Sequence, residues 1–459
     1  MAEWRPEIET GEGFIHERIA KALEADIAAG ALAPDTRLPT HRRLAELLGV
    51  SVGAVTRAYA AVEARGLVKA TVGRGSFVAG RAEAERSEPR DEGLFDLERA
   101  LPPLADAHSL RALGRLRQRA DPGGHLSYPP SAGEPGHRRA VARWFAATAG
   151  WPDLDWRRLI LTAGCQQAFA VALGAACRPG DALIVEAATF TGVKTLANHM
   201  NYALVGAAMD AEGLTPDALD EAAQRSGARV AYVQPLQNPT GRVMSLARRH
   251  AIAAVARQRD LLLVEDDLYA AYTTELGLPR LAMLAPERVF YASGLSKSLA
   301  PAFRVGGCVP PLGGDWFDRT LNALRAIAFC APTLSAQIAT QMIEDGTADD
   351  MLAGHRSELA ARATLALDIL GPAAEPPHVA APQFVWLPMN ELKAERTAAA
   401  ALREGVGLSP PTAGLAPGAS AQGLRVCLGA VAGRAALEEA LRRLARVLSD
   451  RDERTLGMV

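Results

Sequence analysis

The chain of 459 residues is 49% hydrophobic and 22% charged, with a formal net charge of -2. This composition is typical of a folded protein of two or three domains and excludes a disordered or fibrous chain. The five cysteines lack CxxC spacing and the nine histidines lack metal-ligand spacing, so we expect reduced thiols and no metal site. Because no apolar run approaches the roughly 20 residues of a membrane span, we expect a cytoplasmic protein.

Positive charge is concentrated near the N-terminus. From Arg37 to Gly80, seven Lys or Arg residues stand against two acidic residues, Glu46 and Glu63. A basic segment inside a nearly neutral protein indicates contact with a polyanion, although a solvated charged surface would have the same composition.

The first eighty residues predict helices followed by a hairpin. Residues 14–29 place apolar side chains at helical spacing and precede Gly30. LPTHRRLAELLG, residues 38–49, predicts a short helix with Thr40 as its N-cap, and residues 51–66 predict a second helix capped by Ser51. LVKATVGRGSFVA, residues 67–79, predicts a β-hairpin whose tip contains Arg74.

The stretch RAEAERSEPRDEG, residues 81–93, is charged and lacks large apolar residues, which predicts a linker at 81–94 between a domain at 1–80 and a domain at 95–459. The second domain alternates apolar runs with helical segments, which predicts an α/β fold with a mostly parallel, doubly wound sheet. We expect a smaller α+β region from about residue 340. The predicted strands are 159–162, 181–186, 228–235, 260–267 and 288–294, and the predicted helices between them include 137–150, 165–177 and 247–260.

Lys297 lies among small residues and hydroxyls in SGLSKSLAPAFRVG. An amine in a desolvated or electropositive site loses proton affinity and can condense with an aldehyde to form a Schiff base. Ser293, Ser296 and Arg304 would suit a phosphate monoester. A lysine considered alone is more often a solvated surface charge, so its neighbours carry the prediction.

Further candidates precede helices. Ala163, Gly164 and Cys165 lead from a strand into a helix whose N-terminal amides would favour a phosphate. Phe190 could stack on an aromatic ring. An ordinary turn and an aromatic core residue are the alternative explanations.

Four polar residues complete the candidate site. Asp266, at a strand's carboxyl end, could hold a ring nitrogen protonated. Tyr269 and Asn238 could contact a ring oxygen, and Arg425 could pair with a carboxylate. Taken singly, each would also suit a turn, a strand end or the surface.

The order of these motifs over residues 95–450 resembles the fold type I, aminotransferase class I family of pyridoxal 5'-phosphate enzymes. The resemblance implies that Lys297 forms an imine with the cofactor and that Tyr128, in HLSYPPSAG, reaches the phosphate of a neighbouring subunit in a homodimer. Phe190 stands where tyrosine is common and Gly294 where a hydroxyl is frequent, which leaves open whether Ser293 or Ser296 binds phosphate. The implied catalytic residues are Lys297, Asp266 and Tyr269; the implied cofactor-binding residues add Ala163, Gly164, Cys165, Phe190, Asn238, Ser293, Ser296, Arg304 and Tyr128; Arg425 would bind substrate.

The N-terminal segment resembles the winged helix-turn-helix of GntR-type regulators, from LPTHRRLAELLGVSVGAVTRAYAAVEARGLV through the wing GRGSFVA. The resemblance implies binding to a double-stranded DNA operator, with a helix in the major groove and the wing near the backbone or minor groove. Val52 stands where many relatives carry a base-reading arginine. The implied DNA-binding residues are Thr40, Arg42, Arg43, Ser51, Thr56, Arg57 and Arg74.

The two resemblances together are the arrangement of the MocR family of bacterial transcriptional regulators. They imply a regulator that senses an amine or amino acid by transaldimination at Lys297. Two alternatives remain open: a working aminotransferase with an accessory DNA-binding domain, and a dimerising scaffold with a relic pocket. The sequence does not identify the effector, the operator, the direction of regulation or transaminase turnover.

Overall fold

The computed structural model describes residues 4, 6, 8, 15–28, 31–32, 36–64, 68–71, 75–78, 94–103 and 128–456. The chain divides into two compact units, residues 1–92 and 93–459. Each has a hydrophobic core of its own. The division falls within residues 81–94, for which the sequence predicts a linker; of these, only Leu94 is among the described residues.

The first unit contains α1 Ile15–Ala28, α2 His41–Leu48, α3 Val52–Ala64, β1 Val68–Thr71 and β2 Gly75–Val78. The Thr40 hydroxyl accepts a hydrogen bond from the amide of Arg43 at 3.3 Å at the start of α2. Gly49 ends that helix at a φ of 66°, a left-handed conformation that glycine adopts without steric cost. The Ser51 hydroxyl accepts from the amide of Ala54 at 3.3 Å. The helix-turn-helix therefore has the caps that the sequence predicts.

The hairpin of the first unit is tied to the turn before α2. Strands β1 and β2 pair antiparallel, Arg37 forms a bridge with Phe77, and the amide of Leu38 donates to Ser76 O at 2.9 Å. Arg74 at the predicted tip lies outside the described residues. The core of this unit includes Ile19, Leu23, Leu44, Val55, Val62, Val68 and Val78.

A seven-stranded sheet forms the centre of the second unit, with the order β4-β12-β11-β10-β9-β5-β6. The strands of this unit are β3 Phe95–Asp96, β4 Ile160–Thr162, β5 Ala182–Glu186, β6 Ala203–Ala207, β7 Met209–Asp210, β8 Gly213–Leu214, β9 Val230–Val233, β10 Leu262–Asp266, β11 Val289–Gly294, β12 Gly306–Val309, β13 Phe384–Pro388, β14 Val406–Gly407 and β15 Gly423–Cys427.

All five predicted strands are present, as β4, β5, β9, β10 and β11. Strands β11, β10, β9, β5 and β6 pair in parallel, so the predicted doubly wound α/β fold is confirmed. Parallel strands end at the same edge of a sheet, and ligands of such folds bind beyond that edge. The candidate residues at strand ends are thereby brought together.

Two strands of the seven-stranded sheet were not predicted, β12 inside it and β6 at its edge. Strand β12 runs antiparallel to both β11 and β4, and it begins with Gly306 and Gly307, which are unfavourable in strands. A Cβ on Gly306 would lie 2.7 Å from the carbonyl carbon of Gly164. The two backbones approach so closely that position 306 requires glycine. Because glycine is rare in strands, the sequence of β12 does not resemble a strand. Strand β6, ALVGA, is likewise short and weakly patterned.

The helices of the second unit cover the sheet and form the C-terminal region: α4 Pro135–Ala149, α5 Cys165–Ala176, α6 Thr191–His199, α7 Pro216–Ser226, α8 Leu246–Gln258, α9 Leu281–Leu284, α10 Trp316–Ala328, α11 Thr333–Glu344, α12 Thr347–Leu370, α13 Glu391–Arg403 and α14 Arg434–Leu456. Short 3-10 helices lie at Trp156–Arg158, Ala270–Tyr272, Thr274–Leu276, Pro301–Phe303 and Gly371–Ala373.

The C-terminal region is α+β, as expected, but one of its strand pairs includes the beginning of the unit. Strands β13 and β15 pair antiparallel, whereas β14 pairs in parallel with β3. Residues 95–96 therefore pack with elements more than 300 positions later, which no local pattern indicates.

All five cysteines are free thiols, and four of them are buried; Cys330 is partly exposed. Among the helices that the structure describes, none combines the length and apolarity that crossing a bilayer demands.

Candidate functional site

Lys297 follows β11 at the carboxyl edge of the sheet and is partly buried. Its amine donates a hydrogen bond to the carbonyl oxygen of Ala100. Burial lowers the pKa of Lys297 to about 8, and the positive charges of Arg425 and Arg304 act in the same direction, while Cys427 and Asp266 oppose the change. The site therefore holds an amine that loses its proton closer to neutral pH than an exposed lysine does.

Asp266 ends β10 and is buried. Its carboxylate accepts hydrogen bonds from the hydroxyl of Tyr232 and, at 3.0 Å, from the amide of Leu268. Burial raises the pKa of Asp266 to about 6, against the effect of these donors and of Lys297. The sequence analysis missed Tyr232; the available signal was a tyrosine in an otherwise apolar buried strand, whose hydroxyl needs a partner.

Asn238 and Arg425 meet although 187 positions separate them. Nη1 of Arg425 donates to Oδ1 of Asn238 at 2.5 Å, so the NH2 group of this amide is the part that can donate elsewhere. The Arg425 guanidinium also lies 5.5 Å from the ring centre of Phe384. The same ring packs edge to face against Tyr269, which is buried, at 5.8 Å.

An anion-binding arrangement lies where β4 leads into α5. Gly164 has a φ of 81°, and a Cβ at this position would lie 2.7 Å from Nη2 of Arg304, so glycine leaves room for the guanidinium. Arg304 donates to Ala163 O at 3.2 Å and to the Ser296 hydroxyl at 3.4 Å. Cys165 begins the helix and is buried, and burial raises the pKa of its thiol.

The two candidate serines differ in their surroundings. The Ser293 hydroxyl donates to the carbonyl oxygen of Asp267 at 2.9 Å and is buried. Ser296 lies beside Arg304. A Cβ on Gly294 would lie 3.3 Å from Val305 O, which is a tight contact.

Phe190, Asn238 and Arg425 line a cavity of about 280 Å³. Its lining residues do not include Asp266, Lys297 or Arg304. Its other walls are largely apolar and include Met209 and Trp386. Small-molecule sites commonly combine apolar walls with a few polar groups that fix orientation. The cavity is therefore suited to an organic ligand that reaches Arg425.

A buried network that the sequence analysis also missed lies beneath the loops around this cavity. Oε2 of Glu186 accepts from Nε2 of Gln234 at 2.6 Å and from Nε2 of Gln237 at 3.2 Å. Both amide groups also donate to the carbonyl oxygen of Asn238, at 3.3 Å and 3.1 Å. Burial raises the pKa of Glu186 to about 8. Glu186 thus helps to position the loop that carries Asn238.

Tyr128 lies at the surface, with 83% of its area exposed. Its ring packs edge to face against Phe329 at 5.2 Å. Among the contacts of the described residues, this ring contact is the one recorded for Tyr128, and the neighbouring-subunit contact that the resemblance implies stays a prediction.

The candidate DNA-binding residues belong to the helix-turn-helix and the hairpin of the first unit. Six of them are exposed, and the seventh, Arg74, lies outside the described residues. Val52 is also exposed, at 44% of its area, and the Thr56 hydroxyl donates back to Val52 O at 3.0 Å. The exposed six are Thr40, Arg42, Arg43, Ser51, Thr56 and Arg57.

The residues at the sheet edge fit pyridoxal 5'-phosphate. Lys297 offers the amine, Asp266 a buried carboxylate, and Arg304 with the start of α5 a cradle that a Cβ at Gly164 would fill. An aldehyde, a ring nitrogen and a phosphate require these three groups.

Two sequence families match the chain. Residues 97–444 match aminotransferase class I and II, and residues 15–78 match the bacterial regulatory proteins of the gntR family. HTH-type transcriptional regulator YdeF of Bacillus subtilis is 28% identical over 360 residues, which are 77% of each chain. The probable rhizopine catabolism regulatory protein MocR of Rhizobium meliloti is 28% identical over 340 residues, 67% of this chain and 68% of that one.

Solved structures show the same fold. The multiple substrate aminotransferase of Thermococcus profundus superposes with a TM-score of 0.68 and 24% identity, covering 81% of this chain and 96% of its own. The resemblances found in the sequence are thereby confirmed: the chain belongs to the aminotransferase class I and II family and carries a gntR-family domain ahead of it, the arrangement found in regulators of the MocR type.

Proposed function

We propose that this protein is a pyridoxal 5'-phosphate-dependent transcriptional regulator that binds an operator through its first unit and senses an amine or amino acid at Lys297. The family implies the cofactor. The observation that carries the proposal is the presence in one chain of an exposed cationic helix-turn-helix and a site with a buried amine, a buried carboxylate and an anion cradle. Binding chromosomal DNA requires a cytoplasmic location.

The site residues have distinct roles in this proposal. Asp266 would pair with the ring nitrogen, with Tyr232 orienting the carboxylate. Asn238, through its NH2 group, and Tyr269 would donate to the ring oxygen. The cofactor supplies an electrophilic carbon that reversibly binds amines.

The phosphate would lie at the start of α5. Arg304, Ser296 and the backbone amide of Cys165 are the donors that support this placement. The amides of Ala163 and Gly164 donate to Gln167 Oε1 at 2.6 Å and to Thr162 O at 2.8 Å, and they would exchange these partners for the phosphate. The hydroxyl of Ser293 already donates to backbone, which favours Ser296. Phe190 would stack on the ring.

Lys297 would be the exchangeable group. With a pKa of about 8, roughly a tenth of this amine is unprotonated at pH 7, against less than a thousandth for an ordinary lysine. An unprotonated amine is nucleophilic, so Lys297 can bind again after an incoming amine has replaced it. Arg425 would hold the carboxylate of an amino acid effector.

The first unit would bind DNA through the exposed face of α2 and α3. Arg42, Arg43 and Arg57 would supply phosphate or base contacts, and Thr40, Ser51 and Thr56 polar ones. We infer a homodimer in which Tyr128 reaches the phosphate of the neighbouring subunit, which predicts paired half-sites in the operator. The same proposal includes a contact between Arg74, in the wing, and the DNA.

A working aminotransferase with a DNA-binding domain is the second candidate function. The observation that favours it is that every group needed for cofactor attachment and carboxylate binding is present: Lys297, Asp266, Asn238 and Arg425. Sustained transamination near the ordinary enzyme rate of about 10 per second would support this candidate. Slow or single-turnover chemistry would support the sensor.

The test uses the full-length, cofactor-loaded protein and an operator selected from random DNA with that protein. Candidate amines are titrated while the visible absorption of the cofactor and the operator affinity are recorded together. We expect one class of amine to change both, with a coupling of about 5-fold or more in affinity. Operator affinity that is unchanged by every amine that alters the spectrum would contradict the sensor.

A further inference from the structure

One stretch of backbone contacts both cations of the proposed effector site. We call residues 95–101 the anchor segment, which lies within the described residues 94–103. The carbonyl oxygen of Ala100 accepts from the amine of Lys297. The carbonyl oxygen of Glu98 accepts from Nη2 of Arg425 at 2.8 Å. These are the side chains to which the proposed function assigns amine exchange and carboxylate binding.

The anchor segment is fixed by contacts on both sides. The Glu98 carbonyl also accepts from Sγ of Cys427 at 3.2 Å and from the Ser409 hydroxyl at 3.4 Å. The amide of Leu97 donates to Gly407 O at 3.0 Å, and Leu97 O accepts from the amide of Cys427 at 2.9 Å. The Leu97 side chain is fully buried. The segment therefore has a defined position in the site.

A local turn directs the Glu98 carbonyl toward Arg425. The Asp96 carboxylate accepts from the amides of Glu98 at 3.0 Å and Arg99 at 3.2 Å, and it also pairs with Nε of Arg99 at 2.5 Å. The side chains of Glu98 and Arg99 are exposed. The hydrogen bonds from the segment to the site come from its backbone. The Glu98 carboxyl also senses the site: burial and Asp96 raise its pKa, and the charges of Arg99 and Arg425 lower it.

An incoming carboxylate and this carbonyl compete for the same hydrogens. Nη2 of Arg425 donates to Glu98 O and to the Ser409 hydroxyl, and Nη1 donates to Asn238. Nε of Arg425 is buried away from solvent. A bidentate carboxylate requires two N–H groups along one edge of the guanidinium. Either edge uses a hydrogen of Nη2, so the carboxylate must take one that Nη2 now donates to Glu98 O or to Ser409, and an ionised oxygen is the stronger acceptor. Ser409 itself donates to Glu98 O, so loss of either hydrogen bond disturbs the contacts of this carbonyl.

We propose that the anchor segment is an internal competitor of the effector, and that an amine bearing an α-carboxylate displaces it from Arg425 whereas an amine without one does not. This inference rests on the proposed function and narrows the effector to amino acids. The segment is the part of the second unit that follows residues 81–94 in sequence, so its displacement changes where the connection to the first unit begins. The protein then has two states, with the anchor segment in place or displaced, and the effector binds them with different affinities. Such a difference is required if effector binding is to change operator binding.

The first experiment measures hydrogen–deuterium exchange in the cofactor-loaded, full-length protein. The probes are two matched pairs, L-alanine with ethylamine and L-phenylalanine with 2-phenylethylamine, and the cofactor spectrum is recorded for each. We expect faster exchange at the amides of Leu97 and Cys427 with the amino acid of a pair, and unchanged exchange with its amine. An amino acid that changes the spectrum but leaves these amides protected overturns the inference while the proposed function stands.

The second experiment needs no effector. A Cβ on Gly429 would lie 1.6 Å from the carbonyl oxygen of Leu101, whereas nothing lies within 4 Å of a Cβ on Gly136, and neither glycine has a left-handed φ. Gly429→Ala should therefore displace the anchor segment, and Gly136→Ala is the matched control. We expect Gly429→Ala alone to show fast exchange at Leu97 and an operator affinity shifted about 5-fold or more, in the direction that an amino acid shifts the wild type.

A milder variant covers the case in which Gly429→Ala does not fold. Cys427→Ala removes the Sγ contact to Glu98 O together with the interaction of the thiol with Arg425, and we expect a smaller shift of both quantities in the same direction. Fast exchange in the anchor segment combined with wild-type operator affinity would overturn the inference. If none of the four probes changes the spectrum, the result counts against the proposed function. The inference is then tested by the exchange and operator affinity of Gly429→Ala and Cys427→Ala, which need no effector.

Discussion

The two units of this protein present their cations in opposite ways. Arg42 and Arg57 in the first unit are exposed, whereas Lys297 and Arg425 in the second are partly buried and donate to backbone carbonyls. Many solvated cations suit a polyanion, whose binding depends on counterion release. A small ligand instead requires a few desolvated groups in fixed positions. Similar charges therefore serve two kinds of ligand, because their burial differs.

The largest effect should come from the buried amine. Lys297→Ala removes the group that binds the cofactor covalently, so we expect the visible absorption of the cofactor to be lost on dialysis and the response of operator binding to amines to be abolished. Lys393→Ala, on the exposed side of α13, is the control and should retain both. If operator binding by Lys297→Ala still responds to amines, then the buried amine of the second unit is not the group that senses them.

A second prediction tests whether burial keeps the carboxyl of Glu186, in the second unit, protonated near neutral pH. The folded-state pKa of Glu186 is about 8 against an ordinary 4.5, so between these values the native protein binds more protons than the unfolded chain. Stability should therefore fall as pH rises through this window, by a few kcal/mol in total. Glu265 and Asp266 have raised pKa values of about 7 and about 6, and Lys297 has a lowered one of about 8. Other groups therefore titrate near this window too, and the contribution of Glu186 is the difference between the wild type and Glu186→Gln.

Thermal unfolding midpoints across this range measure the effect. Glu186→Gln should flatten the decline between pH 7 and 8, because glutamine does not titrate, while Glu221→Gln at the surface of α7 should leave it unchanged. Parallel curves for wild type and Glu186→Gln would show that this carboxyl does not titrate in that range.

A third prediction concerns the exposed cations. Arg42→Ala should weaken operator binding by about 1 to 3 kcal/mol if the side chain reads a base, and lower the salt dependence by about one unit of slope if it contacts phosphate. Arg42→Ala should not alter the cofactor spectrum. Fluorescence anisotropy at several salt concentrations measures both quantities, with Lys21→Ala on α1 as the control. Equal affinities for the two variants would dismiss a role for Arg42.

The smallest effect should come from a helix cap in the first unit. Thr40→Ala removes the hydroxyl that accepts from the amide of Arg43, at a cost of about 1 kcal/mol in the stability of that unit. Thr40→Ser keeps the acceptor and should behave as wild type in urea unfolding. If Thr40→Ser loses as much stability as Thr40→Ala, the cap contributes little.

Much of the fold was predictable because its signals are local. Helix caps such as Thr40 and Gly49 act over three or four residues, and buried parallel strands appear as continuous apolar runs. The candidate site could be assembled from the order of short motifs around Asp266 and Lys297. By contrast, β12 was hidden because glycines needed for close packing resemble a turn.

The sequence by itself determined the helix-turn-helix, five strands of the central sheet and the residue types that meet at its carboxyl edge, because periodicity, capping and motif order are properties of neighbouring residues. Only the tertiary structure decided the partners of these residues. Tyr232 and Asp266 are 34 positions apart, Lys297 and Ala100 are 197 apart, and Arg425 and Glu98 are 327 apart. A backbone carbonyl has no sequence signature, so contacts to it arise only when the chain folds.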